Sequence, residues 1–114
     1  MDVSLGEIIT INKELGGDLV RGGSIDFALS AGRGKSLYTR IALLWRAIIV
    51  DHPFTDINKR TAFNIAVLML KRNHIKADDD VKDRLAKELL KVAKQNINEI
   101  KKIERRIRYA VEGN

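Results

Sequence analysis

The chain has 114 residues, 45% apolar and 32% charged, with a net charge of +6 and no cysteine. That is one domain, residues 1–114, with enough apolar content for a single core, and it excludes disulfides and thiolate metal sites. The longest apolar stretches, 41–50 and 62–70, fall short of the about 18 residues that span a bilayer, and MDVSLGEIIT lacks the basic start of a secretory leader. A cytoplasmic protein without a membrane partner is expected.

In chain order, the periodicity predicts helix after helix. Residues 4–15 carry Ile8, Ile9, Ile11 and Leu15, with Ser4 as the cap and Gly16-Gly17 as the stop. A short helix is expected over 24–30, capped by Ser24. AGRGKS, residues 31–36, reads as a loop. From Ser36 a longer helix carries Leu37, Ile41, Leu44 and Ile48 on one face, with Trp45 beside them as core or contact surface. It should stop near Asp51, because Pro53 disfavours a helical His52. The next helix, from about Asn58 to Asn73, shows Ala62, Ile65, Ala66, Met69 and Leu70 together. Phe63 and Val67 widen that stripe, which predicts burial over most of its circumference. His74 follows as a solvent-facing end residue. Asp78 caps a helix with Val81, Leu85, Leu89 and Val92 in register, and Ile97, Ile100, Ile103 and Ile107 mark the last. The fold class predicted is an all-α, single-domain bundle of about six helices. The residues 91–108 carry seven cations against Glu99 and Glu104. A solvated basic face is the favoured account, a nucleic-acid or acidic-protein contact the less favoured one.

One connector stands apart. HPFTDINKRTA, residues 52–62, puts a histidine, a carboxylate, an asparagine and two cations within nine positions. A helix N-terminus near Asn58 exposes unpaired N–H groups and suits phosphate, whereas Lys59 and Arg60 in its first turn oppose the dipole unless an anion compensates. His52 is suited to accept a proton from a hydroxyl. Asp56 offers Mg²⁺ one hard ligand, the rest coming from substrate phosphates. Asn58 can orient a phosphate oxygen, and Arg60 and Lys59 supply a fork and a point charge. Phe54 is the loop anchor, while Thr61 and Ala62 look like filler. Composition and spacing leave a plain capped turn with surface charges equally open.

The same residues resemble the signature of the Fic/Doc (Fido) superfamily: His-Pro-Phe, two residues, Gly or Ala, Asn, Gly or Lys, Arg. The likeness covers His52, Pro53, Phe54, Asp56, Asn58, Lys59 and Arg60, and continues to Asn64 as in Doc-like members. GGDLVRGGSIDFAL before the motif and ELLKVAKQNINEIKKIERRIR after it resemble the flanking helices. The resemblance implies the all-α Fido fold. It further implies transfer of a phosphate-containing group from ATP to a protein hydroxyl, with His52 as catalytic base, Asp56 holding Mg²⁺, and Asn58 and Arg60 binding phosphates. Fic proteins typically have glycine at the position of Lys59 and transfer AMP. Doc toxins have lysine there and transfer the terminal phosphate to a translation elongation factor. Lys59, and Phe63 in place of a second arginine, lean to the Doc (death-on-curing) type. That type implies the toxin half of a toxin–antitoxin pair, with an antitoxin as partner. AMP transfer, or a degenerate domain that only binds nucleotide, nucleic acid or protein, is the alternative.

The sequence departs from the family pattern in three places. Ile57 stands where Gly or Ala is usual and is expected to crowd the phosphate cradle. AGRGKS stands where members carry a longer flap that docks the target beside the site, and its six residues leave little for that purpose, although Arg33 and Lys35 are expected to face nucleotide or target. Glu112 and Gly113 match the end of the family's inhibitory motif, but Arg108 replaces its Ser or Thr, so self-inhibition by Glu112 is not expected. RGKS at 33–36 is no phosphate-binding loop, since Leu29 stands where its first glycine belongs.

Overall fold

A computed structural model describes residues 3–113. Among them are six helices: α1 Leu5–Glu14, α2 Gly23–Ala31, α3 Leu37–Asp51, α4 Asn58–Arg72, α5 Asp79–Lys94 and α6 Ile100–Glu112. The all-α class is as expected. The described residues hold no strand, only an isolated antiparallel bridge between Leu19 and Phe54. No described helix is long and apolar enough to cross a membrane.

α3 is the central rod, packed against α2, α4 and α6. Eight of its residues, including Ile41, Leu44, Trp45 and Ile48, are buried. Trp45 ties it to α4 by donating its indole N–H to the Ala62 carbonyl at 3.0 Å. Such a buried donor has to be partnered, and here the partner fixes how the two helices flanking the connector lie against each other. Ile65, Met69 and Leu70 of α4, Leu85 of α5, and Ile103 and Ile107 of α6 complete the core with Ile8 and Ile25.

The helix starts are set largely by caps visible in the sequence. Ser4 and Glu7 form a reciprocal capping box on α1, and Ser36 and Asp78 accept first-turn N–H bonds on α3 and α5. Three expectations change. Gly22, not Ser24, is the cap of α2, so Ser24 lies inside the helix. Ile97 precedes α6, whose cap is Glu99. The three-residue step from Ile97 to Ile100 mimics a helical stripe, but Asn96 turns left-handed at φ 53° and bends the chain instead. Finally, Phe63 and Val67 are only half-buried, so α4 is less enclosed than its apolar content predicts.

Candidate active site

α3 and α4 meet at the 52–57 turn, and each end of it is left-handed. His52 sits at φ 46°, ψ 61° as the C-cap of α3. The helical conformation disfavoured before Pro53 ends the helix here. Ile57 sits at φ 62°, ψ 30° as the N-cap of α4. Between them Phe54 is buried to 2% exposure, which makes it the anchor expected. Asn58 clasps that anchor. Its Oδ1 accepts the Phe54 N–H at 3.3 Å and its Nδ2 donates to the Phe54 carbonyl at 3.2 Å. One amide hydrogen of Asn58 is left for a ligand.

Two further segments hold the turn. Residues 18–21 run beside it: the Thr55 N–H donates to the Asp18 carbonyl (2.9 Å) and the Val20 N–H to the Pro53 carbonyl (2.8 Å). From α1, the fully buried Asn12 donates its amide to the Asp56 carbonyl and to Thr61 Oγ1, both at 3.0 Å. Thr61 in turn donates to the Ile57 carbonyl at 2.8 Å. Thr61 is therefore a buried hydrogen-bonding residue rather than filler. Sequence reasoning missed Asn12 as well, although a signal existed: it lies four residues after Ile8, on the buried stripe of α1.

The site side chains divide between two depressions. His52 and Lys59 face one cleft of about 720 Å³, walled by Ile49, Val50 and Leu90 and closed by Lys94 at the end of α5 and by Asn96, Ile97 and Asn98 from the α5–α6 connection. Arg60 lines an adjoining depression that shares Lys59 and Leu90. Asp56 and Asn58 line neither. The contribution of Asn96 and Asn98 was not foreseen, because it depends on the bend at Asn96. No side chain caps α4, and its first turn holds no acid. Among the described residues, neither Lys59 nor Arg60 has an ion-pair partner. The α4 N-terminus is thus positive, uncapped and beside a cleft of ligand size.

Asp56 is exposed, and its Oδ1 accepts the Ile57 N–H at 2.7 Å. No group of three or more His, Asp or Glu residues among those described could hold a metal. A lone carboxylate of this kind fits Mg²⁺ only where phosphate oxygens supply most of the coordination.

Two expectations about the surroundings are corrected. The loop containing Arg33 and Lys35 feeds the N-terminal end of α3, whereas His52 lies at its C-terminal end. Fifteen residues separate the ends, about 22 Å of helix. The 31–36 loop, already expected to be too short for a flap, therefore lies away from the site, and contrary to expectation its two cations do not line the cleft. The segment beside the turn is 18–21. Ile57 lines neither depression, and its Cδ1 lies 3.5 Å from where a β-carbon on Gly16 would stand, so it leans toward the end of α1 instead of filling the cleft. Glu112 accepts from the Tyr38 hydroxyl at 3.1 Å, at the opposite end of α3 from His52, in keeping with no inhibitory role at the site.

A model described as the Fic/DOC family matches residues 23–70. The match takes in α2, α3, the whole turn and most of α4, and it supports a Fido-type domain. The six-helix, all-α arrangement is consistent with that fold. No curated protein matches the chain.

Proposed function

We propose that the chain is a Mg²⁺-dependent transferase that moves a phosphate-containing group from ATP to a hydroxyl of a target protein. The observation that carries this is the single cleft joining His52 to Lys59 at the uncapped start of α4. The triphosphate lies over the α4 N-terminus, where backbone N–H groups, Lys59, Arg60 and the spare Asn58 hydrogen meet its oxygens. A ring nitrogen of His52 takes the proton of the target hydroxyl as its oxygen bonds to phosphorus and the nucleotide leaves. Asp56 would hold Mg²⁺, which when bound neutralises charge on the phosphates.

Lys59 favours transfer of the terminal phosphate in the Doc manner, with ADP leaving. In this reading the chain is the toxin of a toxin–antitoxin pair acting in the cytoplasm, its target a translation elongation factor and its restraint a separate antitoxin. AMP transfer, with pyrophosphate leaving, is the second reading, since the same cleft holds a nucleotide in either direction.

ATP labelled at the α or the γ position, incubated with the protein and a cell lysate, decides between them. Label from the γ position alone supports phosphorylation, and label from the α position supports AMP transfer. No transfer, together with no ATP binding by calorimetry, leaves a degenerate domain. His52→Ala should abolish transfer with the fold intact, and Asp56→Ala should remove the Mg²⁺ dependence with the activity. Activity surviving in the His52 variant would end the general-base assignment.

A further inference from the structure

We propose that the outer face of α6, with the depression it shares with the α5–α6 connection, binds the phosphodiester backbone of a single-stranded nucleic acid. The depression, about 400 Å³, is lined by Lys102, Arg105 and Arg106 together with Gln95 and Ile97, and no acid lines it. Ile103, Ile107 and Ala110 form the buried side of α6. That leaves Lys101, Arg105 and Arg108 at i, i+4 and i+7 along its opposite, exposed side, over about 10 Å of helix. Tyr109 is 43% exposed and follows Arg105 by four residues, so it lies one turn beyond that cation on the same side.

The acids nearby do not answer this charge. Buried Glu88 holds both Lys91 (3.2 Å) and Arg106 (3.1 Å), so one carboxylate faces two cations and a positive charge is left over. The same bond fixes the Arg106 guanidinium beside the depression with N–H groups to spare. Lys102 reaches Glu99 only at 3.6 Å, and both are exposed, a pair that a phosphate displaces at little cost. Glu104 and Glu112, the acids of α6 itself, are turned to α3, where they accept from Thr39 Oγ1 (2.8 Å) and the Tyr38 hydroxyl (3.1 Å). Arg108 rests over the Tyr38 ring, 5.3 Å from its centroid, which orients it without cancelling its charge. Among the described residues Lys101 and Arg105 have no ion-pair partner. Guanidinium forks suit phosphate oxygens, and an exposed tyrosine gives an unstacked base a face. A duplex keeps its bases stacked on one another and leaves Tyr109 unused. Ile97 is the one apolar side chain in the depression, too little to anchor a protein segment.

This face is independent of the nucleotide reading: its depression shares Ile97 with the cleft and no cation. The test titrates fluorescein-labelled oligouridylate of about 12 nucleotides into the full chain without ATP or Mg²⁺, at about 50–200 mM salt, with affinity read by anisotropy. A duplex RNA of the same length and a polyglutamate peptide of the same charge are the comparison ligands. The oligouridylate should bind most tightly, and its log affinity should fall against log salt with a slope of about −2 to −3, as three or four phosphate contacts require. Lys101→Gln with Arg105→Gln should weaken it at least about tenfold at 0.1 M salt and flatten the slope by about 1.4. Tyr109→Ala should weaken it at least about fivefold and leave the slope unchanged. Lys71→Gln with Lys82→Gln removes the same charge from the α4–α5 side and should cost less than about twofold. All five residues are exposed, so circular dichroism should not change. Equal loss in the two glutamine pairs would reduce the effect to net charge and overturn the proposal. Polyglutamate or duplex binding as tightly as the single strand would overturn it too, as would no saturation by about 1 mM.

Discussion

Replacing Asn12 by leucine tests the part of the site that lies farthest from the motif in sequence. Asn12 is fully buried, and its amide nitrogen serves two acceptors, the Asp56 carbonyl and Thr61 Oγ1. Leucine nearly fills the same volume, so the cavity contribution is small and the loss is polar. The Asp56 carbonyl forfeits its donor in a part-buried setting, while Thr61 keeps its bond to Ile57. Two lost bonds and one underserved carbonyl cost about 3–4 kcal/mol, offset by removing Asn12 Oδ1, a buried acceptor without a partner, which recovers about 1–2. The net expectation is a destabilisation of about 2 kcal/mol, or a melting-temperature drop of about 8 °C for a chain of this size.

The assay is urea and thermal unfolding of Asn12→Leu, Thr61→Val and the double variant. Because Asn12 and Thr61 share a bond, the double variant should cost at least about 0.5 kcal/mol less than the sum of the singles. A melting temperature within about 2 °C of the parent for Asn12→Leu, or strict additivity, refutes the claim that this amide ties down the turn. A second readout separates tethering from bulk stability. If the Asp56 carbonyl positions its carboxylate, Asn12→Leu should raise the Mg²⁺ concentration needed for half-maximal ATP binding even well below its melting temperature.

Three other outcomes are expected. Ala at Gly17 would place a β-carbon 2.3 Å from Asn12 Oδ1 and 2.8 Å from the Asp56 carbonyl oxygen; neither can retreat freely, so Gly17→Ala should lose about 1–3 kcal/mol in urea unfolding. Ile57→Gly relieves about 1–2 kcal/mol of left-handed strain and gives most of it back as chain entropy and a lost apolar contact, so stability should move by less than about 1 kcal/mol; a larger loss shows that Ile57 is held by packing beyond Gly16. Glu7 is lowered from 4.5 to about 2, chiefly by its hydrogen bond from Arg72 and then by the Ser4 N–H. A depressed carboxylate contributes stability that is complete above its unfolded value and lost as pH falls through the folded one, so the melting temperature of the parent should fall between about pH 4.5 and 2 more steeply than that of Glu7→Gln; parallel curves refute the assignment.

Local signals carried much of the fold. Ser4, Ser36 and Asp78 announced three helix starts, because a capping side chain sits next to the groups it serves. The apolar stripe of α3 announced the central rod for the same reason. What escaped were consequences of distant adjacency. Asn12 acts on residues 44 and 49 positions away, and nothing near it in sequence names the partner. Residues 18–21 look like an ordinary linker until Phe54 and Pro53 lie beside them. The 95–99 connection enters the cleft only because Asn96 reverses the chain, a left-handed turn that no periodicity encodes. Misplacing the flap had the same origin: the sequence orders AGRGKS just before α3 but cannot say that the helix carries the site at its other end.

The chemistry-bearing residues were legible because they break local rules, and the structure shows how the breach is sustained. His52 and Ile57 both occupy left-handed backbone without being glycine or asparagine, and such positions cost about 1–3 kcal/mol each. A connector that merely reversed the chain would relax. This one is held over six residues by the buried Phe54 ring, the Asn58 clasp, the Asn12 amide and the pairing with 18–21. The two turns have separate effects. The first frees His52 from α3 at the mouth of the cleft. The second starts α4 without a side-chain cap, so its first N–H groups and two cations face outward together. Restraint from two distant parts of the chain, spent on a geometry that leaves positive charge unanswered, is what the phosphate-bearing ligand of the proposed function would account for.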